Sequence, residues 1–161
     1  MGFIKTDRLK EVLESISGLV DKQVLVGIPD SAPERKDDEP LSNATIGYIQ
    51  ETGSPANNLP ARPFLVPGVA SAEEKTVPQL QRAVEAALDG DLPRAEKRMA
   101  SAGLAAQNSV RAKINSGIAP QLKASTLAAR RRRGRTGTVP LIDSGQLRNS
   151  ITYVIRSKKK G

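Results

Sequence analysis

Three groups of residues in this chain combine types and spacings that chemistry could use. Arg130, Arg131, Arg132, Arg133 and Arg135 place five guanidinium groups within six positions, a cationic density suited to a phosphate backbone or an acidic protein face. No aromatic residue is interleaved with them for base stacking, so any nucleic-acid contact is expected to be non-specific. A solvated loop is the plain alternative. Asp37, Asp38 and Glu39 supply three consecutive carboxylates, but without the glycine-punctuated ligand alternation of a calcium loop. Asp143 and Ser144 put a carboxylate beside a hydroxyl, yet the chain has no His to act as base and no Cys. These absences exclude His-dependent triads, the usual zinc sites and disulfides. Gly134-Arg135-Thr136-Gly137 lacks the Lys-Ser/Thr ending of a phosphate-binding loop. No paired carboxylates lie in an apolar setting that would tune them as acid and base. Neither an enzymatic activity nor a cofactor or metal is expected.

The elements that position these groups come from a chain of 161 residues, enough for one domain with a real core. Aromatic residues make up only 2% and Trp is absent. Rings carry much of a usual core's buried area, so the core is expected to be thin and supplemented by packing against other subunits. The net charge of +8 is unevenly spread. Residues 1–90 hold 9 Lys and Arg against 14 Asp and Glu, whereas residues 91–161 hold 16 against 3. Such asymmetry suits a basic surface facing a polyanion, or opposite faces that attract in neighbouring copies. With so few acids nearby, the five clustered arginines are expected to face solvent, phosphate or the carboxylates of another chain. No run approaches the roughly 18 apolar residues of a membrane span, and a soluble chain is expected.

Leu9, Val12, Leu13, Ile16 and Leu19 recur at helical spacing and predict an amphipathic helix over about 7–17, capped by Thr6 or Asp7 and closed by Gly18. Val24, Val26 and Ile28 share one face of a strand over 23–28 that Pro29 stops. The polar stretch that follows makes a mobile loop over about 29–42. Ser42 or Asn43 caps a short helix that Gly53 ends. Pro55, Pro60 and Pro63 then stiffen an extended loop, which delivers Phe64, one of two phenylalanines, as a bulky anchor. A rigid loop between two core helices is the bland reading of this segment.

Residues 68–88 read as mostly helical, with Pro78 either kinking the helix or following a fresh start capped by Thr76. Asp91 caps the next helix, with Pro93 in its first turn. That helix runs to about Asn115, with Ala95, Met99, Ala102, Ala106, Val110 and Ile114 on one stripe. Its small residues suit close packing, within the chain or against another subunit. A second mobile region is expected over about 117–140, containing a short helix from Ser125 to Arg133. Asp143 and Gln146 have capping-box spacing for a single turn. Ile151, Tyr153 and Ile155 share one face of a strand whose simplest partner is 23–28, and a basic tail over 157–161 ends the chain. The predicted fold is a single α+β domain over 1–161, with a small, mainly antiparallel sheet packed with several helices and long mobile loops.

Two stretches also resemble a known pattern. The helix–glycine segment 46–53, followed by Leu59-Pro60-Ala61-Arg62-Pro63-Phe64-Leu65, resembles one signature of the virion morphogenesis, or tail-completion, family of tailed double-stranded DNA bacteriophages. Leu141-Ile142-Asp143-Ser144-Gly145-Gln146-Leu147-Arg148-Asn149-Ser150-Ile151 resembles its C-terminal signature, and the basic segment 125–133 resembles the lead-in to it. Thr52 stands where the family usually carries an aromatic residue. The resemblance implies a structural virion protein joining tail to capsid as a homo-oligomeric ring of about six or twelve copies. It implies connector, tail-terminator or tail-tube proteins as partners, location in the virion neck after assembly in the host cytoplasm, non-specific contact with packaged DNA, and no membrane. Arg62, Pro63, Phe64, Leu65, Leu147 and Arg148 become the candidates for subunit or partner contact. Arg130, Arg131, Arg132, Arg133 and Arg135 become those for DNA or an acidic partner. The alternative is a non-specific nucleic-acid-binding module built on the arginine cluster.

Overall fold

The computed structural model describes residues 7–31 and 40–158. Its elements are α1 (Leu9–Val20), β1 (Lys22–Gly27), α2 (Asn43–Thr52), a 3₁₀ turn (Pro55–Asn57), α3 (Leu65–Ala70), α4 (Glu73–Leu88), α5 (Leu92–Asn115), α6 (Ala124–Arg132), α7 (Gln146–Ser150) and β2 (Thr152–Ser157). The fold is α+β: among the described residues, seven helices accompany one two-stranded antiparallel sheet. Most of the loop expected over 29–42, and the last residues of the basic tail expected over 157–161, lie outside the described residues.

α5 is the axis of the molecule. Asp91 Oδ1 accepts from the Arg94 amide at 3.0 Å, and Pro93 occupies the first turn, where a missing N–H leaves no bond unmade. The predicted stripe is buried throughout: Ala95, Met99, Ala102, Ala106, Val110 and Ile114 all face inward within this chain. One half of the stripe, Ala95 and Met99, meets Ala83, Ala86 and Ala87 of α4, with Ile16 and Leu19 of α1 alongside. The other half, Val110 and Ile114, meets Phe64, Ile118 and Ile151. The first cluster contains four alanines and one methionine. Alanine buries little surface per residue, so that end of the core gains its stability from close helix approach rather than from bulk.

β1 and β2 pair as predicted, with Lys22 opposite Ser157, Val24 opposite Ile155, Val26 opposite Tyr153 and Gly27 opposite Thr152. One face of the ribbon lies on α5. The Tyr153 ring occupies the space that a side chain at Gly103 would need, and Val24 packs beside it. Gln107 of α5 accepts from the Tyr153 amide at 3.1 Å, tying helix to sheet through a polar contact.

Other boundaries differ from the sequence reading for identifiable reasons. Gly18 does not close α1; the helix runs through to Val20, and the missing side chain instead admits Leu92. Asp7 does bond the start of α1, accepting from the Leu9 amide at 3.0 Å. Arg8 grips Glu11 at 2.9 Å and the Asp89 carbonyl at 3.1 Å, so α1 begins against the end of α4. The hydrogen bond from Arg8, then its charge, holds the Glu11 carboxyl below its ordinary value. The helix expected over 68–88 is two helices, interrupted at Ser71 and Ala72. Pro78 lies inside α4, and Thr76 caps nothing: its hydroxyl donates to the Glu73 carbonyl at 3.3 Å.

Candidate functional site

The proline-rich loop is built from its ends inward. Ser42 Oγ accepts from the Thr45 amide at 3.1 Å and starts α2. Gly53 ends it at φ +78°, and a side chain there would run into the Ala61 backbone. Ser54 and Leu59 then exchange backbone hydrogen bonds of 2.9 and 3.0 Å around the 3₁₀ turn, with Asn58 left-handed at φ +52°. The Arg62 amide returns to the Gln50 carbonyl at 2.7 Å. Glu51 completes the structure: one oxygen accepts from the Phe64 and Leu65 amides at 2.7 and 2.8 Å, and the other from the Val66 amide at 3.1 Å. A single carboxylate thus holds three amides around the start of α3. No local pattern signals this role, because the amides lie 13 to 15 residues away.

Phe64, so placed, is 2% exposed and belongs to this chain's own core, beside Val110, Ile114 and Ile151. It is therefore not available as a contact to another subunit. Leu147 and Arg62 are also mostly buried, at 5% and 8% exposed, and both line the groove described below. Arg62 runs under the loop, and its Nε donates to the Pro120 carbonyl at 2.9 Å. Leu65 is half-buried and packs against the Phe64 cluster. Arg148 is also half-buried, donating to Asn115 Oδ1 at 3.2 Å. Among the six residues singled out for partner contact, Pro63 is the exposed one.

The arginine cluster is divided rather than uniformly exposed. Arg130 is 6% exposed; its Nη1 donates to the carbonyls of Gly137 and Val139 at 2.9 and 3.1 Å. Its Nε lies 3.4 Å from Asp143 Oδ1, close enough for an ion pair. Burial lowers the Arg130 pKa, Asp143 opposes that, and the neighbouring charges of Arg133 and Arg135 add to the lowering. Arg135 pairs with Asp143 directly, while Arg133 reaches it only at 3.8 Å. The expectation that all five guanidinium groups face outward is thus overturned: one acid serves as hub for Arg130 and Arg135, and backbone carbonyls satisfy Arg130 further. Arg131, Arg132 and Arg133 are the exposed members, at the carboxyl end of α6, where cations complement the helix dipole. Asp143 consequently does not cap α7. Gly145 holds that position at φ +81°, without a side-chain cap. The short helix expected from Ser125 is present as α6, beginning after Lys123 rather than at a serine cap.

The two distant signatures meet at one place. α2, the 54–62 loop, the 120–123 segment, the start of α6 and the 141–147 segment enclose a groove of about 450 Å³. Ile46, Leu59, Leu122, Leu141 and Leu147 give it apolar walls, and Arg62, Lys123 and Arg130 give it positive charge. Among the described residues no group of three or more His, Cys, Asp or Glu side chains converges as a metal site, and no helix is long and apolar enough to cross a membrane. Asp37, Asp38 and Glu39 lie outside the described residues. Comparison with protein-family models, with curated proteins and with solved structures finds no match to this chain.

Proposed function

We propose that the chain is a structural virion protein of a tailed bacteriophage, assembling into a ring in the neck and joining tail to capsid. The observation that carries this reading is the apolar surface left uncovered on α1 and α4. Val77, Leu80, Val84 and Leu88 of α4 follow one another at spacings of three and four and are all exposed, Leu88 by 56%. Leu9, Leu13 and Val20 of α1 are likewise exposed. Beneath α4 the core is largely alanine, so the large apolar residues of that helix lie outside while small ones fill the interior; α1 turns Ile16 and Leu19 inward and leaves Leu9, Leu13 and Val20 outside. A monomer gains nothing from that arrangement, whereas a subunit flanked by copies of itself buries the outer row. The resemblance of segments 46–65 and 141–151 to the tail-completion signatures supplies the specific setting.

Sedimentation of the purified protein, with electron cryomicroscopy of intact virions, tests this. The expected result is a closed oligomer and density for the chain at the head–tail junction. Replacing Leu80 and Val84 by Ser should leave the subunit folded and shift it to monomer. A wild-type chain that stays monomeric at all concentrations and is absent from virions would overturn the reading. The second reading, a nucleic-acid-binding module, draws on the exposed Arg131, Arg132 and Arg133. DNA binding that survives high salt would favour it, since simple phosphate neutralisation weakens steeply with ionic strength.

A further inference from the structure

Among the described elements, α6 is the helix that no other helix or strand packs against extensively. A helix of nine residues is marginal in water on its own. Its anchor is Arg130, through the Gly137 and Val139 carbonyls and Asp143. Lys123, Thr126 and Arg130 fall on one face, toward the groove. Ala124, Ala128, Arg131 and Arg132 fall on the other face, about half a turn away, and all four are exposed. That free face is small at its start and cationic at its end. Arg131 and Arg132 have no side-chain partner among the described residues.

α4 presents the complement. Val77, Leu80, Val84 and Leu88 form its exposed row. By helical position Glu73, Glu74 and Glu85 lie within about a quarter-turn of that row, whereas Lys75 and Arg82, the two bases of the helix, lie about half a turn from it. The three acids are exposed and have no ion-pair partner among the described residues. The row is thus bordered by negative charge. The free face of α6 offers alanines for leucine and valine to pack on, arginine stems as further apolar cover, and positive charge to match the border.

The two surfaces lie toward opposite ends of α5. The α4 row ends at Leu88, where Arg8 bonds the Asp89 carbonyl beside the start of α5. α6 borders the groove with α7, whose Arg148 meets Asn115, the last residue of α5. They do not pack together within one chain. Complementary patches so separated meet between copies, head to tail, which is the kind of contact a ring is made from.

We propose that neighbouring copies join by α6 of one subunit lying on the α4 row of the next, with Arg131 and Arg132 paired to the acids that border it. This deepens the reading of the chain as a self-assembling subunit and depends on it.

Sedimentation of the full-length chain tests the contact with two charge-reversed variants, Arg131→Glu with Arg132→Glu, and Glu74→Lys with Glu85→Lys. Each alone, shown to be folded by circular dichroism, should assemble at least about tenfold more weakly than wild type. An equimolar mixture of the two should assemble again and hold both in equal share, because reversed α6 then meets reversed α4, and native meets native. Should Glu74→Lys unsettle the start of α4, Glu85→Lys alone takes its place, in a last turn where a base suits the helix dipole. A wild type dispersed by Leu80→Ser with Val84→Ser, beside charge variants that assemble as well as wild type, would overturn this contact and leave the ring standing. Weakened variants that do not recover on mixing would overturn it too. Arginine reversal that spares assembly and removes DNA binding would overturn it in favour of a phosphate-facing role. A wild type that is monomeric at every concentration would overturn both the contact and the ring.

Discussion

Two side chains show how far a residue's role depends on where the fold returns it. Glu51 holds three amides that no helix would otherwise satisfy. Glu51→Ala is expected to destabilise the chain by roughly 1–3 kcal/mol, and Glu51→Gln by less, because its amide oxygen can still accept; urea unfolding measures both. Arg130 and Arg131 are neighbours with opposite fates. Arg130→Gln leaves two carbonyls and one side of Asp143 short of a buried partner, a loss of roughly 1–3 kcal/mol. Arg131→Gln and Arg132→Gln change exposed positions and should remain within about 0.5 kcal/mol of wild type. Equal effects across these three arginines would show that the division of the cluster is mistaken.

At the scale of elements, the fold rests on close approach where side chains are absent. The Tyr153 ring leaves no room for a side chain at Gly103, and Val110 of α5 leaves none at Gly68 of α3. Gly103→Ala should therefore push the ribbon off α5 and cost roughly 1–3 kcal/mol, despite alanine's better helix propensity; a rise in melting temperature would contradict this. Much of this level was legible in the sequence. The α5 stripe, the Asp91 cap and the pairing of β1 with β2 follow from period and capping chemistry, which act over a few residues. What escaped was long-range. Asp143 reads locally as a capping residue, but arginines eight and thirteen positions before it compete for its oxygens and win. Gly18 reads as a helix end, but Leu92 uses the space it leaves. The groove was invisible for the same reason: each signature was plain, and nothing in either announced that Arg62 would lie near Asp143.

Over the whole molecule, an alanine-based cluster at one end and a Phe64-centred cluster at the other make a subunit whose two halves are unequally supported. If copies bury the outer rows of α1 and α4, folding and association are linked. The melting temperature should then rise with protein concentration. A melting temperature independent of concentration over a wide range would place all the stability within one chain. Charge segregation adds to the contrast, since the exposed Arg131, Arg132 and Arg133 belong to the basic half of the sequence.

The pairing of β1 with β2 has a mechanical side. Lys22, where the chain enters β1, stands opposite Ser157, where it leaves β2, and the Lys158 amide bonds the Asp21 carbonyl at 2.6 Å just outside that pair. Tension drawing these two ends apart acts across the ribbon at its rim. It opens the ladder like a zip, one bond after another, instead of shearing all the bonds together. Tension that reaches β2 through α7 and β1 through α1 runs along the strands and loads the rungs in parallel. The same six-residue ribbon is thus compliant to one direction of pull and stiff to the other.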